Sequence, residues 1–561
     1  MTAEARSLAT QLSIPLRRRL FGLGSTFGKT LRDSRRAILI VGGFLSLLII
    51  ISGAFVASTW GTPETRAEGV ALTTALPPIF TGLYGGSAVN ADTLGGFTNW
   101  RYGLLFFVLP GIWSVMALSG TLVSEMRRGS MDFLAGSSIA RRGIALQKLA
   151  GHVAAMTIAM LIAAFFLWLI GTAFATLPGD EIPVEAALGY TLAMGLSALA
   201  AGTIAFALAP FVGRGGAAGI AALILVGSWI IFGYRESVDV FETLLPISWF
   251  GWFADHRPIV GLYDWASLLP LVGIVLLAGT IGILAFERRD LGDVGAVRLP
   301  GRPSWLLGLW RPLTRSLGER LNTAIAWGLG IGLYAFIIAV SAADLQRVIA
   351  EAPTLEEVFR AAFPNADLSQ PGFALQVLFV QLGTLLGGAA AAALVGGWAS
   401  DEPEGRLEML LTAPIGRFRW MIETGVGAYL AIVVTSIVVG MATALAIATS
   451  GGDVLTPMSG VFVIALYGVA VGGIGLAVGG LVGPSFAAPT VVVVIVGMLL
   501  IDILGPILEL PDVIGDLSLA RHYGEPMIGS WDPVGIVASL GLAIGGLLIG
   551  AWGFAHRDLK G

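Results

Sequence analysis

Two short segments of this chain concentrate side chains suited to gripping a partner. Glu125, Gly129, Asp132, Phe133 and Leu134 stand in the first, and Glu404, Gly405, Glu408, Met409 and Leu410 in the second. Each opens with acids, passes a glycine and continues into an apolar stretch. Each is followed by an arginine, Arg141 or Arg417. The chemistry on offer is recognition: carboxylates meet basic groups while apolar side chains enter a groove. A surface helix packed on its own bundle would use the same pattern. Docking is favoured because the pattern occurs twice.

Other chemistries fare worse. The run Gly22-Leu23-Gly24-Ser25-Thr26-Phe27-Gly28-Lys29-Thr30 has leucine where a phosphate-binding loop needs its first glycine. Arginines precede it and an apolar run follows, so the strand–loop–helix setting is missing as well. If ATP drives this protein, another polypeptide hydrolyses it, and this chain holds no cofactor. The four histidines, His152, His256, His522 and His556, are far apart and suggest no metal site, and there is no cysteine. Among the apolar runs Asp502 is the best candidate for a buried carboxylate. Carriers coupled to protons or sodium usually need several such groups. Their scarcity suits a wide path for an apolar or amphipathic cargo instead. The stretch Trp249-Phe250-Gly251-Trp252-Phe253 and its partner His522-Tyr523 are candidates to line an exit, Trp249, Trp252 and Tyr523 foremost, or else anchors at the membrane–water boundary.

The elements that must position these residues are membrane helices. The chain has 561 residues, 56% hydrophobic and 12% charged. A soluble domain cannot wet that much apolar surface. The net charge of −4 gives no reason to expect nucleic acid. About twelve spans are predicted, each long enough for roughly 30 Å of hydrocarbon. They lie near 37–59, 102–123, 147–177, 184–212, 215–234 and 265–286, then 322–343, 373–398, 421–450, 457–482, 486–508 and 533–555. The fold class is thus an all-α polytopic membrane protein. Most of the 33 basic residues fall on one face, which the positive-inside rule makes cytoplasmic. Both termini, Arg141 and Arg417 are expected there, in a plasma membrane. Segments 60–101 and 344–372 are expected outside, the second either a short interfacial helix, by the spacing of its apolar residues, or an ordinary loop. The few basic residues expected outside include Arg66, Arg235, Arg257, Arg347 and Arg360. The basic stretch at 1–36 precedes an apolar run too long for the core of a cleavable signal.

The halves repeat. Ser124–Leu134 lies over Ser400–Leu410, placing Gly129 on Gly405. Pro258-Ile259-Val260-Gly261 lies over Pro526-Met527-Ile528-Gly529, and Phe286-x-x-Arg289-Asp290 over Phe554-x-x-Arg557-Asp558. Equal span order with a common starting side makes this a parallel duplication. The expected organisation is a basic amphipathic segment (1–36), a first six-span half (37–295), a linker with an interfacial helix (296–321) and a second half (322–561). A substrate path is expected between the halves.

Six spans per half, an acidic–glycine–acidic–leucine segment after the second span and a closing Phe-x-x-Arg-Asp resemble the permease subunits of type 2 ABC exporters. In that family such a segment, followed by Pro-Ile-x-Arg, is the coupling helix seated in the ATPase. Glu404-Gly405, Glu408, Leu410-Leu411 and Pro414-Ile415-x-Arg417 match it; in the first copy Ser138 stands where the proline would be. The double-length form looks most like actinobacterial exporters of polyether antibiotics, the tetronasin type. The resemblance implies two copies of a separate ATPase carrying ATP and magnesium, surrounding lipid, and a hydrophobic drug, antibiotic or lipid-like cargo moved outward. The alternatives are a secondary transporter with parallel repeats and a scaffold that recruits a cytoplasmic partner.

Overall fold

The structure is a computed structural model describing residues 25–74, 76, 78–121, 140–288, 311–351, 356, 359–360, 363, 367–398, 406–412, 414–450, 452–507 and 510–558. Its chain divides into two compact units, Met1–Leu299 and Pro300–Gly561. Among the described residues, eleven helices are long and apolar enough to cross a membrane. In lipid every backbone N–H and C=O must be satisfied within the protein, which leaves helices as the economical solution for such a chain. The protein is therefore an all-α polytopic membrane protein.

In the first unit the long helices are α1 (Thr26–Thr59), α3 (Leu94–Gly120), α4 (Arg141–Ala173), α5 (Val184–Gly233) and α6 (Leu269–Glu287), with a short α2 (Pro63–Thr74) after α1. Ser25 caps α1, its Oγ accepting from the Gly28 N–H at 3.0 Å. The basic residues Lys29–Arg36 continue into the apolar run without a break. α1 packs on α4, α3 on α5 and α5 on α6. At 50 residues, α5 would measure about 75 Å if straight. It is not straight. Pro210 removes a backbone donor, and Gly213 adopts φ 74°, ψ 173°, a conformation closed to most side chains. The break divides α5 into the two spans expected at 184–212 and 215–234, so eleven helices carry twelve apolar segments.

In the second unit α7 (Pro312–Val340), α8 (Ala342–Glu351), α9 (Pro371–Leu378), α10 (Val380–Val395) and α11 (Arg406–Leu411) precede α12 (Arg417–Ser450). Then come α13 (Phe462–Leu481), α14 (Ala487–Ile507) and α15 (Pro533–His556). α8 is the short helix expected in 344–372. Its Ala342, Leu345 and Ile349 are buried, a stripe at helical spacing. α13 and α15 meet through glycine. A Cβ at Gly480 or Gly546 would strike the backbone of Gly550 or Gly473, so the two helices touch main chain to main chain. The break between α13 and α14 comes at Gly483, φ 152°, in the place that Gly213 holds in the first unit.

Candidate functional site

Each unit closes one end with a hairpin just before its last long helix. In the first unit Pro258–Val260 forms a 3-10 turn ended by Gly261 at φ 82°, and Arg257 bridges Leu262. In the second, Pro526–Ile528 ends at Gly529 with φ 86°, and Glu525 pairs with Ser530. The register is the same. A helix start presses on each hairpin: a Cβ on Gly95 would overlap the Ile259 carbonyl, and one on Gly372 the Met527 carbonyl. An amide side chain then ties each down. Asn90 Nδ2 donates to the Val260 carbonyl at 3.0 Å, and Gln376 Oε1 accepts from the Met527 N–H at 3.1 Å.

The first unit adds a buried ion pair. Arg66 on α2 donates from both Nη atoms to the two Asp180 oxygens, at 2.9 and 3.0 Å. Its Nε donates to the Trp60 carbonyl at 2.8 Å and its Nη1 also to that of Asp92 at 2.7 Å. Asp180 accepts from the backbone N–H of Leu94 (2.8 Å), Thr176 (3.1 Å) and Leu177 (3.0 Å). Burial pushes the Asp180 carboxyl up, but the guanidinium and the three amides outweigh it and hold it below the usual carboxylate range. One pair thus joins the end of α1, α2, the start of α3 and the α4–α5 loop. A buried charge is tolerated when its partner and hydrogen bonds are all supplied, as here.

Beside this hub the first unit holds a cavity of about 40 Å³. Its walls are aromatic: Tyr84 from the α2–α3 loop, Trp100 and Phe107 from α3, Tyr190 and Trp229 from α5, and Phe250 and Phe253 just beyond. The rings interlock, with Trp229 edge-on to Phe250 at 5.0 Å and Phe107 edge-on to Tyr190 at 5.7 Å. Tyr190 donates to Asn99 Oδ1 at 2.9 Å, and Trp229 Nε1 to the Leu83 carbonyl at 3.3 Å. Gly85 and Gly86, both near φ 100°, let the loop fold over the rings. Arg257 and His256 complete the lining. His256 Nδ1 accepts from the Asp264 N–H at 3.2 Å, so the ring proton sits on Nε2, and burial holds this imidazole below its ordinary pKa.

The aromatic candidates do other work. Trp249 is buried in the core. Trp252 is at the surface, its Nε1 donating to the Pro246 carbonyl at 2.8 Å. Tyr523 is buried in the second unit and shares a 2.7 Å hydrogen bond with Ser539 Oγ; burial, opposed by that bond, pushes its hydroxyl up to about 12. Asp502 is ion-paired with Arg521 at 3.1 Å and accepts from Ser518 Oγ at 2.8 Å.

At the other end of the second unit lies the described part of its acidic–apolar segment. Glu125, Gly129, Asp132, Phe133, Leu134, Glu404 and Gly405 fall outside the described residues. Arg141 opens α4. Arg406–Leu411 forms the short helix α11, on which Leu407 is buried, Leu410 half-buried, and Glu408 and Met409 exposed, Met409 to 68%. Pro414 is exposed between α11 and α12. Arg417, at the start of α12, donates to the Arg557 carbonyl at 3.1 Å. The closing motif has a role here. Phe554 is fully buried against Trp398 and Trp420, at 5.8 and 5.2 Å, while Arg557 meets Arg417. Phe286 is buried likewise in the first unit.

Two comparisons with known proteins bear on this arrangement. Residues 312–555 match the family model described as the C-terminal domain of the multidrug efflux system permease Rv1217c. The similarity extends well beyond that domain. Over 540 residues the chain is 26% identical to the multidrug efflux system permease protein Rv1217c of Mycobacterium tuberculosis (strain ATCC 25618 / H37Rv), spanning 92% of each chain.

Sequence reasoning missed the cavity and the ion pair. One signal was available: Arg66, Arg235 and Arg257 all belong to the few basic residues expected outside. Arg235 spends its charge locally, donating to the Gly85 carbonyl at 3.1 Å and to Glu236 at 2.8 Å.

Proposed function

We propose that this chain is the membrane-spanning permease of an efflux system, moving a hydrophobic or amphipathic small molecule out of the cell. The observation that carries the reading is its end-to-end similarity to an efflux permease of the same length, joined to a twofold repeat of six apolar segments. A separate ATPase supplies the energy, as in type 2 ABC exporters; two copies dock, one on each acidic–apolar segment, with ATP and magnesium held by them. Both termini face the cytoplasm. The exposed Glu408 and Met409 on α11 support the docking: an exposed carboxylate and a large apolar side chain stand side by side on a helix whose other face is anchored by Leu407. Arg417 and the Phe554 cluster would pass a push on α11 into α12 and α15.

The test compares Met409→Ala with Leu410→Ala against Phe133→Ala with Leu134→Ala. Truncating a docked apolar anchor costs on the order of 2 kcal/mol, so assembly should weaken more than tenfold in each double variant. Co-purification of the ATPase and cargo-stimulated ATP hydrolysis are the readouts, with membrane expression as the control. Full partner binding and full stimulation by both variants would remove the coupling role.

A further inference from the structure

Among the described residues Arg257 carries a guanidinium that no hydrogen bond or ion pair holds; Asp255 and Glu236 act on it only electrostatically. Other groups nearby are engaged: Arg235 pairs with Glu236, and Glu236 also accepts from Ser87 Oγ at 2.5 Å. Asp180 is consumed by Arg66. Among the described residues the Arg257 guanidinium has no hydrogen bond and no ion pair, although it is only half exposed and lines the aromatic cavity. A second donor on the same wall is orphaned: Trp100 Nε1 is buried and has no partner. Unpaired buried donors are uncommon in folded proteins and call for an acceptor. The second unit offers no parallel, because Glu525 stands where the first has Arg257.

We propose that this cavity is a binding site for the carboxylate head of a small amphipathic acid, with Arg257 as the anion-binding residue and Trp100 Nε1 as a second donor. The planar guanidinium matches a carboxylate in two parallel hydrogen bonds, a geometry that a halide cannot use. Arg257 stands at the polar edge of the cavity, where a head group would meet it. Phe107, Tyr190, Trp229 and Phe250 supply the apolar wall that a hydrocarbon tail requires. This inference does not rest on ATP-driven export, and it is tested on the isolated chain.

The full chain, purified in a zwitterionic detergent, is titrated with octanoate and, separately, with octanamide. Quenching of tryptophan emission and thermal stabilisation are followed. Octanoate should bind saturably and at least about tenfold more tightly than the amide, the range expected of a charged hydrogen-bonded pair. Arg257→Gln should erase that preference without changing the melting temperature of the unliganded protein. Arg257→Lys, which keeps the charge and loses the planar fork, should retain part of it and serves as the second variant if the glutamine form does not fold. Glu525→Gln, in the second unit, should leave octanoate binding unchanged. Absence of saturable octanoate binding, equal affinity for acid and amide, or a preference that survives Arg257→Gln in folded protein overturns the proposal. So does displacement of octanoate by a lower concentration of short-chain phosphatidylglycerol, which would assign the site to a lipid phosphate.

Discussion

The hairpins Arg257–Leu262 and Glu525–Ser530 have the same backbone and opposite charge. Both turn on a glycine in the left-handed region, both accept a close helix start at a second glycine, and both are tied by an amide side chain. The α4–α5 loop and the α12–α13 connection repeat the lesson. Each contains Gly-Asp, with Gly179 at φ 93° and Gly452 at φ 130°. Asp180 is sealed against Arg66. Asp453 is exposed and accepts from the Leu455 N–H at 2.9 Å within its own turn. Backbone requirements persisted through the duplication because few residues other than glycine meet them. Charges were free to diverge, because a surface carboxylate needs no partner, whereas a buried one needs several.

The sharpest way to break this comparison is to remove the two aspartates in turn. Asp180→Ala strands the buried Arg66 and should cost about 3–5 kcal/mol, the range for breaking one partner of a buried pair. Asp453→Ala should leave stability unchanged within error. Thermal unfolding in detergent, followed by size-exclusion chromatography of the surviving fraction, measures both. Equal losses would mean that the ion pair confers nothing special on the first unit.

Acid should separate the units next. The folded Asp180 carboxyl lies below its unfolded value, so its stabilisation is complete above about pH 4, where the unfolded carboxyl is ionised. It is lost as the pH falls from there through the lowered folded value. The wild type should therefore lose more stability between about pH 4 and pH 2 than Asp180→Ala does. Parallel pH profiles for the two proteins would contradict this.

The smallest effect probes what the units share. Gly261→Ala meets no atom in its path, so its cost is the backbone conformation alone, about 1 kcal/mol. Gly529→Ala should cost a similar amount or slightly more, since Thr456 Cγ2 would stand 3.2 Å from the new Cβ. The pair of melting temperatures checks whether the hairpins are energetically as well as geometrically alike.

Much of the fold was legible because the bilayer imposes it. Twelve apolar segments can be read from composition alone, and the break in α5 falls between the segments expected at 184–212 and 215–234, at a Gly- and Pro-rich stretch. The α8 stripe of Leu345 and Ile349 was visible as helical spacing. The candidate sites were less legible. The acidic–apolar segments announce themselves by recurring, yet only burial distinguishes Leu407, turned inward, from Met409, turned outward. The stretch Trp249–Phe253 drew notice for its aromatics, but which of them line the cavity, Phe250 and Phe253 rather than Trp249 and Trp252, came only with packing.

The sequence by itself determined that this chain spans a membrane and that its motifs recur in two halves. These follow from local properties: hydropathy over a window and the spacing of residues along the chain. Only the tertiary structure decided that Asp180 finds Arg66, 114 positions away, while Asp453, among the described residues, bonds within its own turn. It alone decided that Arg235 is paired and that Arg257, among the described residues, is not. A charge acquires its energetic meaning from burial and from the partners within hydrogen-bond reach, and neither quantity exists until the helices have packed.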